Sequence, residues 1–265
     1  MHPAVNIMVK AARRASQKIN RATQDLSVLR VSTKQQNDFV TEIDKAAEIA
    51  ILEVLQEAYP DYAILAEETA PLGRNHKNSA YQWIIDPIDG TTNFIHGFPQ
   101  YAISIALAHK GQIQHGLIYD TLRNEMFTAS RGDGAFLNDR RIRVASRLHL
   151  DEALLGTGFP YKEFKEIDAY LAVFKELTQK SAGIRRAGSA ALDLAYVAAG
   201  RLDGFWESGL MPWDIAAGSL LISEAGGLVV DFAGEDKFMA SGKVVAGNAK
   251  ILAQLLQTLE TVAKK

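Results

Sequence analysis

The chain has 265 residues, 48% of them hydrophobic and 23% charged, with no cysteine, so disulfides, thiolate nucleophiles, zinc–thiolate sites and iron–sulfur clusters are excluded. Lys and Arg total 29 against 31 Asp and Glu, a net charge of −2, which lacks the basic footprint of a dedicated nucleic-acid binder; direct DNA binding is not expected. Lys10, Arg13, Arg14, Lys18 and Arg21 interrupt the N-terminal apolar residues, and no run approaches the roughly 18 apolar residues of a membrane span, so a cytoplasmic protein without membrane association is expected.

Val5, Met8, Val9, Ala12 and Ala15 recur at helical spacing and predict an amphipathic first helix. A second helix is predicted after Thr41, with Ile43, Ala46, Ala47, Ala50, Val54 and Ala58 on one face and Pro60 as its stop. Thr41 and Asp44 read as a capping box, with Asp in the usual Glu position. Leu65-Ala66 is a short apolar strand running into Glu67-Glu68, and the segment 70–79 reads either as a lid-like loop or as a plain connecting loop. Strands are predicted at 101–109, 112–120, 125–129 and 141–144, with a tight turn at Lys110-Gly111. Beyond Arg147 strands and helices alternate: strand 154–158, helix 161–180, strand 184–186, helix 189–199, strand 203–207, helix 213–225, strand 228–232 and helix 248–263. The first half therefore reads as α+β and the second as α/β, with a boundary near residue 146.

The chemistry concentrates in Trp83-Ile84-Ile85-Asp86-Pro87-Ile88-Asp89-Gly90-Thr91-Thr92-Asn93. An apolar strand end delivers two carboxylates, Pro87 stiffens the turn between them, Gly90 allows close backbone approach, and Thr91 or Thr92 can start a helix. Acids at such a point can hold hard cations, and free amides can hold a phosphate. Glu67-Glu68 and Trp213-Asp214 also end apolar segments, while Asp38 and Asp44 flank the second helix. Converging carboxylates repel unless cations neutralise them, and oxygen-only ligands favour magnesium or manganese. The 6 histidines are scattered without metal-ligand spacing, which disfavours zinc. Neither a Walker loop nor a dinucleotide fingerprint is present.

Glu67-Glu68, the Trp83 to Asn93 block and Trp213-Asp214-Ile215-Ala216-Ala217-Gly218 together resemble the signatures of the inositol monophosphatase family. The resemblance extends through Asn37 to Asp44, Gly188-Ser189-Ala190-Ala191-Leu192-Asp193 and Glu207. It is greatest for the bacterial SuhB-type branch, notably around Arg185-Arg186-Ala187-Gly188. It implies a layered αβαβα sandwich shared with fructose 1,6-bisphosphatases, halves 1–146 and 147–265 forming one catalytic unit, and a homodimer. The implied activity is magnesium-dependent, lithium-sensitive hydrolysis of myo-inositol monophosphates and related sugar-alcohol phosphates. Glu67, Asp86 and the Ile88 carbonyl would bind one magnesium; Asp86, Asp89 and Asp214 a second; a looser third would lean on Glu67, with manganese as a possible substitute. Asp44 and the Thr91 hydroxyl would orient and deprotonate the attacking water. Gly90 and Thr91 amides would hold the phosphate, and Asp89, Gly188, Ser189, Ala190 and Glu207 would contact the substrate. Sister activities on fructose 1,6-bisphosphate or 3′-phosphoadenosine 5′-phosphate share this acid framework. The SuhB-type resemblance also implies association with RNA polymerase and Nus factors in transcription antitermination or ribosome biogenesis, with Arg185-Arg186 either offering an exposed contact or forming an internal or dimer-interface ion pair.

Overall fold

The computed structural model describes residues 2–24, 26, 31–35, 38–68, 79–160 and 164–264. Asn37, nearly all of the expected 70–79 loop and the first residues of the helix expected at 161–180 lie outside the described residues; of Asp38 only the backbone is described.

The first helix, α1 (Pro3–Ala22), is capped by His2, whose ring accepts a hydrogen bond from the Ala4 amide at 3.2 Å. Its apolar stripe of Val5, Met8, Ala12, Ala15 and Ile19 packs with Ala47, Ala50, Ile51 and Val54 of α2 (Glu42–Ala58). A hairpin of β1 (Val31–Gln35) and β2 (Asp38–Thr41) precedes α2. Then come β3 (Ala63–Ala66), β4 (Tyr81–Asp89), the one-turn helix α3 (Thr91–Ile95), β5 (Ala102–His109), β6 (Gln112–Asp120), β7 (Glu125–Ser130), β8 (Gly134–Leu137) and β9 (Arg140–Arg141). Strands β3 to β9 form a seven-stranded sheet in sequence order, parallel only at β3–β4.

The remaining elements are β10 (Leu154–Thr157), α4 (Ile167–Lys180), β11 (Gly183–Arg185), α5 (Ala190–Ala198), β12 (Gly204–Glu207), α6 (Pro212–Glu224), β13 (Leu228–Val230), α7 (Phe238–Ser241), β14 (Val244–Gly247) and α8 (Ala249–Ala263). They build a five-stranded sheet of order β11-β10-β12-β14-β13, in which β14 runs antiparallel to both neighbours.

Three buried cores hold five layers together, the middle one filling two interfaces. The first joins α1 and α2 to one face of the large sheet through Ile85, Ile103, Ile105 and Leu107. The second joins the other face to α5, α6 and the small sheet; there β5 presents Ala102, Ala106 and Ala108, small enough for α6 to lie close. The third joins the small sheet to α4 and α8 through Leu155, Leu177, Trp206 and Leu255. This is the expected αβαβα sandwich.

Several local expectations are corrected. The strand predicted at 141–144 ends at Arg141, because the Val144 amide turns away to the Ala225 carbonyl (3.2 Å) at the end of α6. The strand predicted at 228–232 stops at Val230, and Asp231 instead caps a turn by accepting from Ala233 and Glu235 amides. Strand β14 was not expected: its four-residue apolar run is too short for periodicity to reveal.

Candidate metal centre and substrate cleft

Strand β4 builds the site through a bulge. Asp86 pairs with Ser104 and Asp89 with Ala102, so three steps on β4 match two on β5. Pro87, with no N–H for the ladder, sits in this irregularity. In a regular strand residues three apart face opposite sides; the extra residue turns Asp86 and Asp89 to the same side. Asp86 Oδ1 accepts the Ile88 amide at 2.9 Å, tightening the turn. Gly90 follows at φ +98°, and a Cβ there would come within 2.9 Å of the Gln100 carbonyl and 3.1 Å of the Gly188 carbonyl, so only glycine fits.

Asp214 arrives from α6, its Oδ2 accepting the Met211 amide at 2.7 Å across the first turn. Carboxylate oxygens of Asp86, Asp89 and Asp214 all lie within 4.8 Å of one another. Asp86 is 2% exposed. Burial pushes its carboxyl well above the usual range, and Glu67, Asp89 and Asp214 push it further. Burial also raises Asp89 to about 6, against the pull of hydrogen bonds from the Ser189 hydroxyl (2.5 Å) and Ala191 amide (2.7 Å). The donor set fits a hard divalent cation: every ligand atom is oxygen, and the charges bearing most on Asp86 are all acidic.

Beside the acids, Asp44 closes the cap of α2. Its Oδ2 accepts the Thr41 amide (2.8 Å) and hydroxyl (2.5 Å), as the capping-box reading expected, while Oδ1 accepts the Thr91 hydroxyl at 2.9 Å. That hydroxyl also lies 3.0 Å from the Ile88 carbonyl. Burial raises the Asp44 carboxyl in spite of the bonds from Thr41 and Thr91.

One cleft of about 730 Å³ is lined by Glu67, Asp86, Ile88, Asp89, Gly90, Thr91, Gly188, Ser189, Ala190, Glu207 and Asp214. Asp44 lies behind that surface, bonded to Thr91. The residues given metal, catalytic or substrate roles in the sequence therefore meet in one place, although they come from both halves of the chain, whereas Glu68 and Arg185 do not line the cleft.

The cleft also contains residues to which sequence reasoning assigned no role. Asn93, in α3, donates Nδ2 to the carbonyls of Gln100 (2.7 Å), Ala187 (2.9 Å) and Gly188 (3.2 Å), tying the segment before α5 to the turn after β4. Asp193 lines the cleft from α5. Arg185 and Arg186 are both exposed; the Arg186 guanidinium lies 5.1 Å from the Phe159 ring at the cleft wall, and Arg185 donates to the Ile184 carbonyl. No helix among the described residues is long and apolar enough to cross a membrane.

The profile of the inositol monophosphatase family matches residues 1–264. A relative from Pseudomonas aeruginosa described as Nus factor SuhB is 52% identical over 262 residues, covering 98% of this chain and 97% of its own. The crystal structure of the extragenic suppressor protein SuhB from Bartonella henselae superposes with a TM-score of 0.94 at 42% identity, covering 98% of this chain and 99% of that one. The inositol monophosphatase from Anabaena (Nostoc) gives 0.86 at 38% identity, over 97% and 94% of the two chains.

Proposed function

The chain belongs to the inositol monophosphatase family, and on that premise we propose that it is a magnesium-dependent phosphatase hydrolysing myo-inositol monophosphates and related sugar-alcohol phosphates to the free alcohol and phosphate. The observation carrying this reading is the convergence of Asp86, Asp89 and Asp214 on one point beside the Thr91–Asp44 hydrogen bond.

Glu67, Asp86 and the Ile88 carbonyl would hold one magnesium, Asp86, Asp89 and Asp214 a second, and Glu67 would help hold a third; manganese is the expected substitute. Bound there, such ions supply positive charge against the phosphate and the reacting oxygens. Gly90 and Thr91 amides orient the phosphate, Gly90 because it brings bare backbone to the surface. A water aligned by the Thr91 hydroxyl attacks phosphorus, the bond to the ester oxygen breaks, and the departing alkoxide takes a proton from solvent water. The water's proton passes through Thr91 to Asp44, whose carboxyl, raised by burial, is a stronger base than an exposed aspartate. Asp89, Gly188, Ser189, Ala190 and Glu207 contact the alcohol half. Residues 1–146 and 147–265 act as one catalytic unit on this reading, within a cytoplasmic homodimer.

A phosphate-release panel tests the substrate class. Inositol 1-phosphate, fructose 1,6-bisphosphate and 3′-phosphoadenosine 5′-phosphate are compared with and without magnesium and lithium. Magnesium-dependent, lithium-sensitive preference for inositol phosphate is expected; preference for either of the others would move the enzyme to a sister activity.

The description of the Pseudomonas relative as a Nus factor favours a second reading, in which the chain binds RNA polymerase or Nus factors and catalysis is incidental. An Asp89→Asn protein that abolishes turnover yet rescues a null strain would support it.

A further inference from the structure

Two buried acids in the cleft have no hydrogen-bond donor among the described residues. Asp193, in the first turn of α5, is 2% exposed, and Glu207, the last residue of β12, is 8% exposed. Neither carboxylate accepts a hydrogen bond among the described residues, yet both line the cleft. Glu207 feels Asp193 more strongly than any other charge, and Arg186 is the cation that bears on both.

The sequence leaves room for them. Gly156 and Gly158, two apart at the end of β10, present one bare face. A Cβ at Gly158 would overlap the Glu207 carboxylate, and one at Gly156 would lie 3.5 Å from the Asp193 Cβ. The backbone thus cradles two acceptors side by side, next to the Ser189–Asp89 hydrogen bond that marks the reacting end of the cleft. Buried acceptors without donors are costly, by more when they are charged than when they are neutral. A ligand rich in hydroxyls supplies the missing donors.

Resting on the phosphatase reading of this cleft, we propose that Asp193 is a substrate-binding residue. With Glu207 it accepts hydrogen bonds from neighbouring hydroxyls of the alcohol half, selecting phosphates of vicinal polyols over esters without such hydroxyls.

The test is the ratio of kcat/KM for inositol 1-phosphate to that for p-nitrophenyl phosphate, at saturating magnesium, in the wild type, Asp193→Ala and Asp193→Asn. Loss of a hydrogen bond to a charged group predicts that the ratio falls about tenfold or more in Asp193→Ala, chiefly through KM. Asp193→Asn, which keeps one acceptor oxygen, falls less, by about threefold on the same reasoning. An equal loss on both substrates would assign Asp193 to the metal shell or the fold, and an unchanged ratio would leave it no part in recognition; either overturns the proposal. Should Asp193→Ala fail to fold, an unchanged ratio in the isosteric Asp193→Asn overturns it as well. A wild type inactive on both esters refutes the phosphatase reading itself, an outcome distinct from an active wild type whose ratio ignores residue 193.

Discussion

Thr91 and Asp44 lie 47 residues apart in the chain and share a hydrogen bond of 2.9 Å, while the other oxygen of the same carboxylate caps α2 through Thr41. One acid therefore serves both a helix terminus and the proton route proposed above, and substitutions can separate the two roles. Thr91→Ala keeps the cap and removes the hydroxyl; turnover should fall about 100-fold, the lower range for a lost proton-transfer group, with an unchanged melting temperature. Thr41→Ala should instead cost about 1 kcal/mol in urea denaturation, the worth of an N-cap. Wild-type phosphate release from Thr91→Ala would remove Thr91 from the reaction.

The acid cluster sets up a conflict between stability and ligand binding. Asp86→Asn should make the metal-free protein at least as stable as wild type, because a buried, repelled carboxylate becomes neutral. Magnesium at about 100 times its Kd should stabilise the wild type by about 2.7 kcal/mol and the variant by much less. Thermal melts with and without magnesium or EDTA check this, and equal shifts in the two proteins would place the ion elsewhere.

Asp89 adds a pH dependence with a definite sign. Its folded-state value, about 6, exceeds the ordinary 3.8, so the folded protein holds this proton more tightly than the unfolded chain. The resulting stabilisation is complete below about 3.8 and is lost as pH rises through about 6. Metal-free melting temperatures should therefore rise between pH 7.5 and 5 relative to Asp89→Asn, whose curve lacks this contribution. Parallel curves for the two proteins would contradict it.

His115 works in the opposite sense. Burial, with the neighbouring His2 ring stacked at 4.2 Å, lowers its value from 6.5 to about 4. The folded protein resists protonation there, so this contribution is present above 6.5 and is lost as pH falls toward 4. His115→Gln should match wild type at pH 8 and melt higher at pH 5. A variant less stable than wild type at pH 5 would mean that the ring's packing and its 2.9 Å contact with the Ser130 hydroxyl outweigh its titration.

Much of the site was legible because its signals are local. The Thr41–Asp44 cap spans four residues, and the Trp83 to Asn93 segment carries two acids, a turn proline and a helix start within one short stretch. Other features answer to distance. The side on which Asp86 and Asp89 meet is set by β4 slipping one residue against β5, a register that depends on the neighbouring strand. Asp193 resembled an ordinary helical acid, and only packing against Gly156 and beside Glu207 turns it into a lining residue.

What the order of residues determined by itself was the repertoire: helix caps and stops, the alternation of apolar segments, an all-oxygen set of acids, and the absence of thiol chemistry. Those follow from backbone sterics and side-chain chemistry acting over a few residues. The tertiary structure alone decided that Asp86, Asp89 and Asp214 come within 4.8 Å of one another. Bringing like charges together in a buried place is unfavourable locally, and it is imposed by three apolar cores whose burial outweighs the repulsion.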